Sequence, residues 1–525
     1  MTNVPVLADR RNRWSFTVGC LATTAGVLLH VPMYWMGRDN GFRLADMPMG
    51  AGMWWGMVLI VAGIAVAGYG LLPRKPAADD MRHHVVVTAP EDAPLGRAHV
   101  QLMVVLTIAL VIDVMKPASL GFVVPGMRVE YAVSKAIVAW LPFAALCGTV
   151  VGSVVWGVLA DLYGRRASIL LSAVMFVGTS ICGAMPSFWW NVGMCFLMGA
   201  AAGGLLPVTY ALLAETMPSR QRGWVLVLVG GLGAVGGYLA ASGFSAWLEP
   251  ILSWRILWFL NLPTGLALIF LNRLIPESPK FLVAQGHLRE ANEMLQRFGC
   301  VAREVAEGQA LASASATVAA IATPRLTAMT WALSIAALAW SLINFGLLLW
   351  MPATLVAKGY SMELSSRLLA GSALIALPTV FVAAFLYSKW SSKGALMASI
   401  AVTAAGLAGV IHLELSSNAQ ISPVWSIALL IVGSNGVIAM LLPYAAESYP
   451  LHIRGRATGR VAACTKAGGI VAQLLGILAL APTLLVGAWV VLVPVVGALV
   501  LVGRFGVETR GRDLRDFDAA TAKPL

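Results

Sequence analysis

Continuous apolar runs of about 20 residues, separated by short polar turns, recur along most of this 525-residue chain. An α-helix needs a run of about that length to cross the hydrocarbon core of a bilayer. The runs do not alternate between apolar and polar residues, so they favour helices over a β-barrel. Only 11% of the residues are charged and 59% are hydrophobic, against roughly 25% charged in a soluble domain. The sequence therefore predicts an all-α protein whose main partner is the lipid bilayer.

The apolar runs predict fourteen spans, arranged as two leading spans and two sets of six. The first run, from about Phe16 to Met36, follows basic residues as in a signal peptide, but its length and lack of a cleavage site predict a retained span. The predicted division of the chain is two leading spans in 1–73, a polar linker in 74–99, six spans in 100–275, a polar central loop in 276–326, six spans in 327–506 and a polar tail in 507–525.

The formal charge of +12 comes from 36 lysines and arginines, most of which fall on the side of the termini in this topology. Positive loops face the cytoplasm, so both termini, the linker and the central loop are predicted to be cytoplasmic in a bacterial-type inner membrane. The basic residues punctuate the spans instead of forming one basic face, which argues against nucleic acid as a partner.

A pattern A-E-x-x-P-x-x-x-R-G occurs twice, at 214–223 and at 446–455, each time where one span ends and another begins. A long repeat built on membrane spans is typical of a transporter whose halves rock around a central site. Each copy contains an acid and a base. If these form an ion pair in only one conformation of the transporter, the pair stabilises that conformation; the alternative is that they simply cap the helix ends. The acid and base of each copy are Glu215 with Arg222, and Glu447 with Arg454.

The turn at 157–166 reads G-x-x-x-D-x-x-G-R-R, and here the chain resembles the major facilitator superfamily. The resemblance covers about 100–515 and implies two six-helix bundles, with the two leading helices as additions. A cytoplasmic gate is predicted, in which Asp161 pairs with one of two arginines and Gly157 allows close helix packing. The alternative is that the arginines only fix topology. The predicted gate residues of this turn are Gly157, Asp161, Gly164, Arg165 and Arg166.

Two cytoplasmic segments resemble signatures of the sugar porters within that superfamily, P-E-S-P-K-F-L at 276–282 and V-E-T-R-G-R at 507–512. They indicate lineage and not substrate, because both lie outside the spans. The glutamine pair that sugar porters carry in the seventh core helix is missing from 340–346. A sugar is therefore the less favoured substrate.

The first core helix holds the sharpest functional signal, with Asp113 and Lys116 near the bilayer centre. Organic-acid porters of the superfamily tend to carry D-G-F-D here; this chain keeps the first acid and has Lys116 in place of the second. At 1.5 Å per residue Asp113 lies roughly 20 Å from the helix end, where a lone charge costs at least about 2.5 kcal/mol. The two side chains share a helix face and can neutralise each other. We expect them to couple protons to transport.

Lys466, in the eleventh core helix, is a second intramembrane cation and has no acid nearby in sequence. Its expected partner is a substrate carboxylate; a structural role near Asp113 or the cytoplasm is the alternative. Uncharged polar and aromatic residues could complete the site, although such residues also serve as contacts between helices. These candidates are Tyr210, Trp340, Asn344, Asn435 and Gln473.

Two further clusters are assigned to packing. The glycines of 230–237 are similar to the antiporter motif of drug exporters, but the expected proline is absent, so close helix packing is predicted. The leading spans carry several methionines and His30 around a short external turn. Thioethers can bind Cu(I), but methionine is also an ordinary gap-filling residue, and a packing or assembly role is favoured.

The sequence contains no nucleophile paired with a base, no phosphate-binding glycine loop and no metal-ligand spacing. Neither an enzyme, nor a cofactor, nor a metal site is predicted. We interpret the chain as a secondary transporter that moves a small anionic organic metabolite with protons by alternating access. The alternatives are a proton-driven exporter of drugs or metabolites, and a non-transporting sensor on the same fold. The oligomeric state is left open.

Overall fold

The structure is a computed structural model. It describes residues 9–72, 85–88, 95–272, 274–277, 281–282, 288–299, 301–304, 324–416, 423–449 and 451–510. These residues form helices almost throughout, as the apolar runs predict.

The leading segment is a helical hairpin. It comprises α1 (Arg10–Leu28), α2 (Val31–Met36), a single 3-10 turn (Arg38–Asn40) and α3 (Ala51–Leu71). Glycines let the backbones of α1 and α3 touch, because a Cβ at Gly19 would lie 2.5 Å from the Gly63 carbonyl oxygen, and one at Gly26 would lie 2.6 Å from that of Gly56. Close approach of small residues is a common way for helices to associate in a bilayer.

Two bundles follow the hairpin. The N-terminal bundle consists of α4 (Arg97–Glu130), α5 (Lys135–Val138), α6 (Trp140–Tyr163), α7 (Arg165–Gly178) with a 3-10 extension (Thr179–Ala184), α8 (Phe188–Ala202), α9 (Leu205–Thr216), α10 (Ser219–Leu252), α11 (Ile256–Phe259) and α12 (Asn261–Leu271). The C-terminal bundle consists of α14 (Pro324–Ser341) with a π-helical continuation (Leu342–Leu348), α15 (Met351–Ala357), α16 (Met362–Lys389), α17 (Ser392–Leu415), α18 (Pro423–Ser448), α19 (Leu451–Ile477) and α20 (Leu484–Phe505).

Eleven helical stretches of the described residues are long and apolar enough to cross a membrane. The remaining three predicted spans coincide with Phe188–Ala202 plus Leu205–Thr216, with Ile256–Leu271, and with Leu451–Ile477. Two of these are interrupted, and the third begins with a polar turn. The all-helical membrane fold is thus confirmed, and the count of fourteen stays a prediction.

The polar linker and the polar central loop meet in a short sheet that the sequence analysis did not anticipate. Strand β1 (Val85–Thr88) pairs antiparallel with β2 (Val301–Glu304), and Val85 lies opposite Glu304. Just before β2, the amphipathic helix α13 (Leu288–Phe298) buries Ala291, Leu295 and Phe298. The two segments therefore form one structure beneath the N-terminal bundle instead of two independent loops.

The hairpin packs against the N-terminal bundle along α7. Phe16 and Leu71 join Leu170 and Val174 in one buried cluster. A second cluster, nearer the turn between α2 and α3, contains Met33, Met53 and Met185, which supports the packing interpretation of the methionines. The hairpin is thus an integral layer of this bundle.

The turn between α2 and α3 also caps a buried ion pair. The guanidinium of Arg255, which is fully buried, donates to the Glu130 carboxylate at 2.5 Å. The same carboxylate accepts hydrogen bonds from the backbone N–H groups of Leu44, at 2.6 Å, and Ala45, at 3.1 Å. Hairpin and bundle therefore share one charge network.

Candidate functional site: a cavity between the two bundles

A cavity of about 870 Å³ lies between the two bundles. Its wall is formed by α4, α6, α8, α9 and α10 from one bundle and by α14, its π-helical continuation, α18 and α19 from the other. Asp113 and Lys466 are the only charged residues among the described lining residues, and they come from opposite bundles.

The cavity is open at one end and closed at the other. Val154, Gly459 and Ala463, which lie toward the end of α6 and the start of α19, line the cavity and are exposed. At the closed end α4 touches the other bundle so tightly that a Cβ at Gly121 would lie 2.5 Å from the Leu349 carbonyl oxygen. The open end lies on the same side as the turn between α6 and α7, which is the predicted cytoplasmic side.

Asp113 is buried and lines the cavity, and its Oδ1 has no hydrogen-bond partner among the described residues. It is close enough to both Lys116 and Lys466 to interact electrostatically. The direct pairing expected for Asp113 and Lys116 is not formed. The Lys116 ammonium instead lies 2.6 Å from the centre of the Phe176 ring, without a hydrogen-bond partner in the described part of the chain. Lys116 is also absent from the cavity wall.

Lys466 lies on the cavity wall beside aromatic side chains. Its ammonium is 5.5 Å from the centre of the Phe345 ring. Phe345 in turn packs edge-on against Trp340, with ring centres 5.8 Å apart. A cation next to an aromatic wall can bind a carboxylate while the rest of an aromatic solute packs on the rings.

The predicted uncharged candidates divide into two groups. Tyr210, Trp340, Asn344 and Asn435 all line the cavity. Gln473 does not, because its side chain is fully buried between helices. It accepts a hydrogen bond from the Trp350 indole at 3.1 Å and donates one to the Phe345 carbonyl at 2.5 Å. That carbonyl belongs to the π-helical segment, whose widened turn leaves it available to a neighbouring helix.

Tyr238 is a cavity residue that the sequence analysis missed. It lines the wall near the closed end, and its buried hydroxyl has no hydrogen-bond partner among the described residues. The available signal was spacing, since Leu226, Gly230, Ala234 and Tyr238 recur every four residues and all line the cavity.

The close packing predicted for the glycines of α10 is confirmed. A Cβ at Gly231 would lie 2.6 Å from Val380 of the other bundle. One at Gly233 would lie 2.6 Å from Leu110, and one at Gly237 would lie 2.6 Å from Val114. Helix α10 thus approaches α4 and α16 closely on its two sides.

The turn between α6 and α7 is held by hydrogen bonds to the carboxylate of Glu277. Gly164 has φ of +98°, and a Cβ there would lie 2.7 Å from a carboxylate oxygen of Glu277. Glu277 accepts hydrogen bonds from the backbone N–H groups of Arg165, at 2.7 Å, and Arg166, at 3.2 Å. The Arg166 side chain donates to the Asn272 carbonyl at 2.8 Å. The P-E-S-P acid therefore caps the first turn of α7.

The second half repeats this arrangement with Glu508. Its carboxylate accepts hydrogen bonds from the Ser391 hydroxyl and from Ser392, whose N–H lies at 2.9 Å and whose hydroxyl lies at 2.5 Å. Partial burial opposes ionisation, but these hydrogen bonds outweigh it and lower the pKa of Glu508 to about 2. The acid that follows the last helix of each bundle thus caps the start of that bundle's third span, α7 or α17.

The structure describes the side chains of some, but not all, of the remaining residues of the predicted gate. Glu447 accepts hydrogen bonds from the Tyr387 hydroxyl at 2.6 Å and from the Thr509 hydroxyl at 2.8 Å. The tight packing expected at Gly157 is wrong for this conformation, since no atom of the described residues outside its own helix backbone lies within 4 Å of a Cβ there. Arg222 lies in the first turn of α10. The side chains of Asp161, Glu215 and Arg454 lie outside the described part of the chain.

The family follows from comparison with known proteins. Residues 106–473 match the model of the Major Facilitator Superfamily. The chain belongs to this family, and it is a multi-pass membrane transporter, not an enzyme.

Individual relatives agree with this assignment. The chain is 26% identical over 407 residues to the niacin transporter NiaP of Acinetobacter baylyi, a match that covers 74% of this chain and 89% of that protein. It is also 26% identical over 373 residues to the gentisate transporter of Corynebacterium glutamicum, covering 68% and 76%. The fold is similar to the partially occluded inward-open conformation of the xylose transporter XylE from E. coli, with a TM-score of 0.62, 17% identity, and coverage of 79% and 99%.

Proposed function

We propose that this protein is a proton-coupled transporter that carries small aromatic carboxylates across a bacterial-type inner membrane by alternating access. The observation that carries the proposal is the position of Lys466, on the wall of the cavity between the bundles and beside Phe345 and Trp340. A carboxylate with a flat apolar ring satisfies both features of this wall. The named solutes of the relatives, niacin and gentisate, are monocyclic aromatic carboxylates.

Proton coupling is assigned to Asp113, with Lys116 as a second buried group. Asp113 faces the cavity from the bundle opposite Lys466 and is within electrostatic range of it. A bound anion changes the charge that Asp113 faces, so binding of solute and binding of a proton favour each other. A buried acid whose environment alternates with the cavity is suited to load a proton on one side and release it on the other.

The proposal is tested with purified protein in liposomes. Nicotinate, gentisate and 4-hydroxybenzoate are offered as solutes, and an inward proton gradient is imposed. We expect accumulation of at least one of them, abolished by a protonophore. Movement of the solute against the proton would assign the protein to export. Absence of binding of all three acids, measured as thermal stabilisation of the protein in detergent, would contradict the substrate class.

The gate assignment is retained as part of the proposal. In it, Asp161, Arg165, Arg166 and the acid–base pairs of the internal repeat hold the cytoplasmic ends together when the cavity opens outward. Gly164, with its positive φ, shapes the turn. The rocking of two bundles requires contacts of this kind that form in one state only.

The orientation is the last part of the proposal, and it leads to a direct measurement. The excess of basic residues on one side supports a topology with both termini in the cytoplasm. A reporter fused after Leu525 should be active only inside, and one inserted in the external turn near Arg38 only outside. An external C-terminus would contradict this topology.

A further inference from the structure

The face of α10 that lines the cavity continues beyond it as a polar stripe. After Tyr238 the same face carries Ser242, Ser245 and Glu249, at steps of four, three and four residues. Ser242 and Ser245 are buried. At 1.5 Å per residue Glu249 lies roughly 16 Å beyond Tyr238, toward the closed side. Polar groups inside a membrane protein are costly and tend to mark pathways for solutes or ions.

This stripe makes a hydrogen bond between the two bundles. The hydroxyls of Ser245 in α10 and Ser366 in α16 are 2.9 Å apart, and both side chains are buried. Ser245 donates its single hydroxyl proton to a carboxylate oxygen of Glu249 at 2.6 Å. While the Glu249 carboxylate is ionised, Ser366 is therefore the donor to Ser245. The hydrogen bonds run in one direction from Ser366 through Ser245 to Glu249.

These hydrogen bonds lie where the bundles must part if the cavity is to open on the side that is now closed. We infer that Ser366, Ser245 and Glu249 form an outer latch, which stabilises the conformation described here and is released when the cavity opens to the opposite side. The latch rests on alternating access, which belongs to the proposed function, but on no particular substrate. Glu249 anchors the latch because its carboxylate accepts the last hydrogen bond.

The latch can be tested by cysteine accessibility. Leu369, one turn from Ser366 on α16, is fully buried, so a cysteine at this position should react with an impermeant maleimide only when the bundles part. The six native cysteines are first replaced by alanine. Loss of one buried hydrogen bond, of about 1 kcal/mol, shifts an equilibrium about fivefold. We expect Ser366→Ala and Glu249→Ala to speed labelling about five- to tenfold.

Two controls accompany this measurement. Ser242→Ala removes a hydroxyl one turn away that, among the described residues, bonds only to the backbone of its own helix, and labelling should stay at the parent rate. Glu249→Gln keeps an acceptor for Ser245 and should lie closer to the parent than Glu249→Ala does. Equal labelling in Ser366→Ala and Ser242→Ala would overturn the latch. The measurement needs no substrate, so it is independent of the proposed solute.

A cross-link provides a second test. Cysteines at positions 245 and 366 should form a disulfide on oxidation, given the short distance between the two hydroxyls. The oxidised protein should lose transport, retain solute binding from the open side, and recover transport on reduction. Each single cysteine variant is treated in the same way as a control. Transport at the parent rate by the fully oxidised double variant would exclude the latch.

Discussion

At the scale of single residues, the charge of the cavity wall comes from two side chains on opposite walls, Asp113 and Lys466. They come from different bundles, so any change in their separation reports the relative motion of the bundles. The two charges attract each other, and a bound anion competes with Asp113 for the lysine. Solute binding, protonation of Asp113 and movement of the bundles therefore all change the interaction between these two side chains.

The role of Lys466 as the anion site leads to the first prediction. Lys466→Gln should weaken binding of nicotinate, or of another carboxylate that the parent binds, by about 2 kcal/mol, or roughly thirtyfold in Kd. The corresponding neutral amide should lose less affinity. Isothermal titration of the purified protein measures both. The matched control is Lys358→Gln, because Lys358 pairs with Glu414 away from the cavity. An unchanged preference for acid over amide would make Lys466 structural.

The second prediction concerns Asp113. Asp113→Asn keeps the shape of the side chain but removes its ionisation. We expect the variant to lose proton-driven accumulation and to retain exchange of labelled for unlabelled solute, since exchange needs no net proton movement. Both are measured in liposomes with and without a proton gradient. Accumulation with the parent pH dependence would move the coupling site elsewhere.

At the scale of the elements, an acid that follows the last helix of each bundle forms hydrogen bonds to another helix of the same bundle. Glu277 caps α7 and Glu508 caps α17, so the two polar signatures fasten the third span of a bundle to its last span. Each bundle can then move as a unit, which rigid-body rocking requires.

The third prediction tests the cap of α17. The pKa of Glu508 is lowered from its ordinary value of 4.5 to about 2. Its stabilisation is therefore fully present above about pH 4.5 and is lost as the pH falls through about 2. Glu508→Gln should lower stability at pH 7 by about 1 kcal/mol, as for loss of a helix cap, and should flatten the fall in Tm between pH 5 and pH 3.

The measurement is thermal unfolding in detergent across that pH range. Glu363→Gln is the control, because this acid forms an exposed pair with Arg367 in the first turn of α16. It should change stability by only a few tenths of a kcal/mol. A steep acid-dependent fall that persists in Glu508→Gln would show that other acids control this range.

These elements also show how far sequence reasoning reaches. The apolar runs predicted the helices because a bilayer imposes their length, and the repeat predicted two similar halves. The roles of Glu277 and Glu508 could not be predicted, because their partners lie more than 100 positions away in sequence. Gln473 was misplaced for a related reason, since an apolar span gives little indication of which face meets the cavity. Spacing suggested that Lys116 pairs with Asp113, but the Lys116 ammonium lies over the Phe176 ring instead.

At the scale of the whole molecule, the leading hairpin and the N-terminal bundle share the buried pair of Glu130 and Arg255. The carboxylate also accepts the Trp254 indole N–H at 3.1 Å. The guanidinium donates to the carbonyls of Gly183 and Met185. The network joins one end of several helices with the turn between α2 and α3.

The fourth prediction follows from this network. Glu130→Gln leaves the Arg255 cation buried without its counter-charge, which should cost about 3 to 5 kcal/mol. We expect a large fall in Tm and in the yield of folded protein. The double variant Glu130→Gln with Arg255→Met should recover part of the loss, because the buried charge is then removed. If the single variant unfolds at the parent Tm, the turn between α2 and α3 and the ion pair are not energetically coupled.

The hairpin contacts described here all belong to the N-terminal bundle, and this has a mechanical consequence. The added helices enlarge the lipid-facing perimeter of one bundle only, so that bundle meets more viscous drag from the membrane when it tilts. The smaller C-terminal bundle should then carry most of the excursion relative to the bilayer. A depth-sensitive fluorophore near Arg504 should report larger displacements during turnover than one near Arg11. The two bundles would then move unequally, with the C-terminal bundle tilting against an N-terminal bundle that stays nearly still in the bilayer.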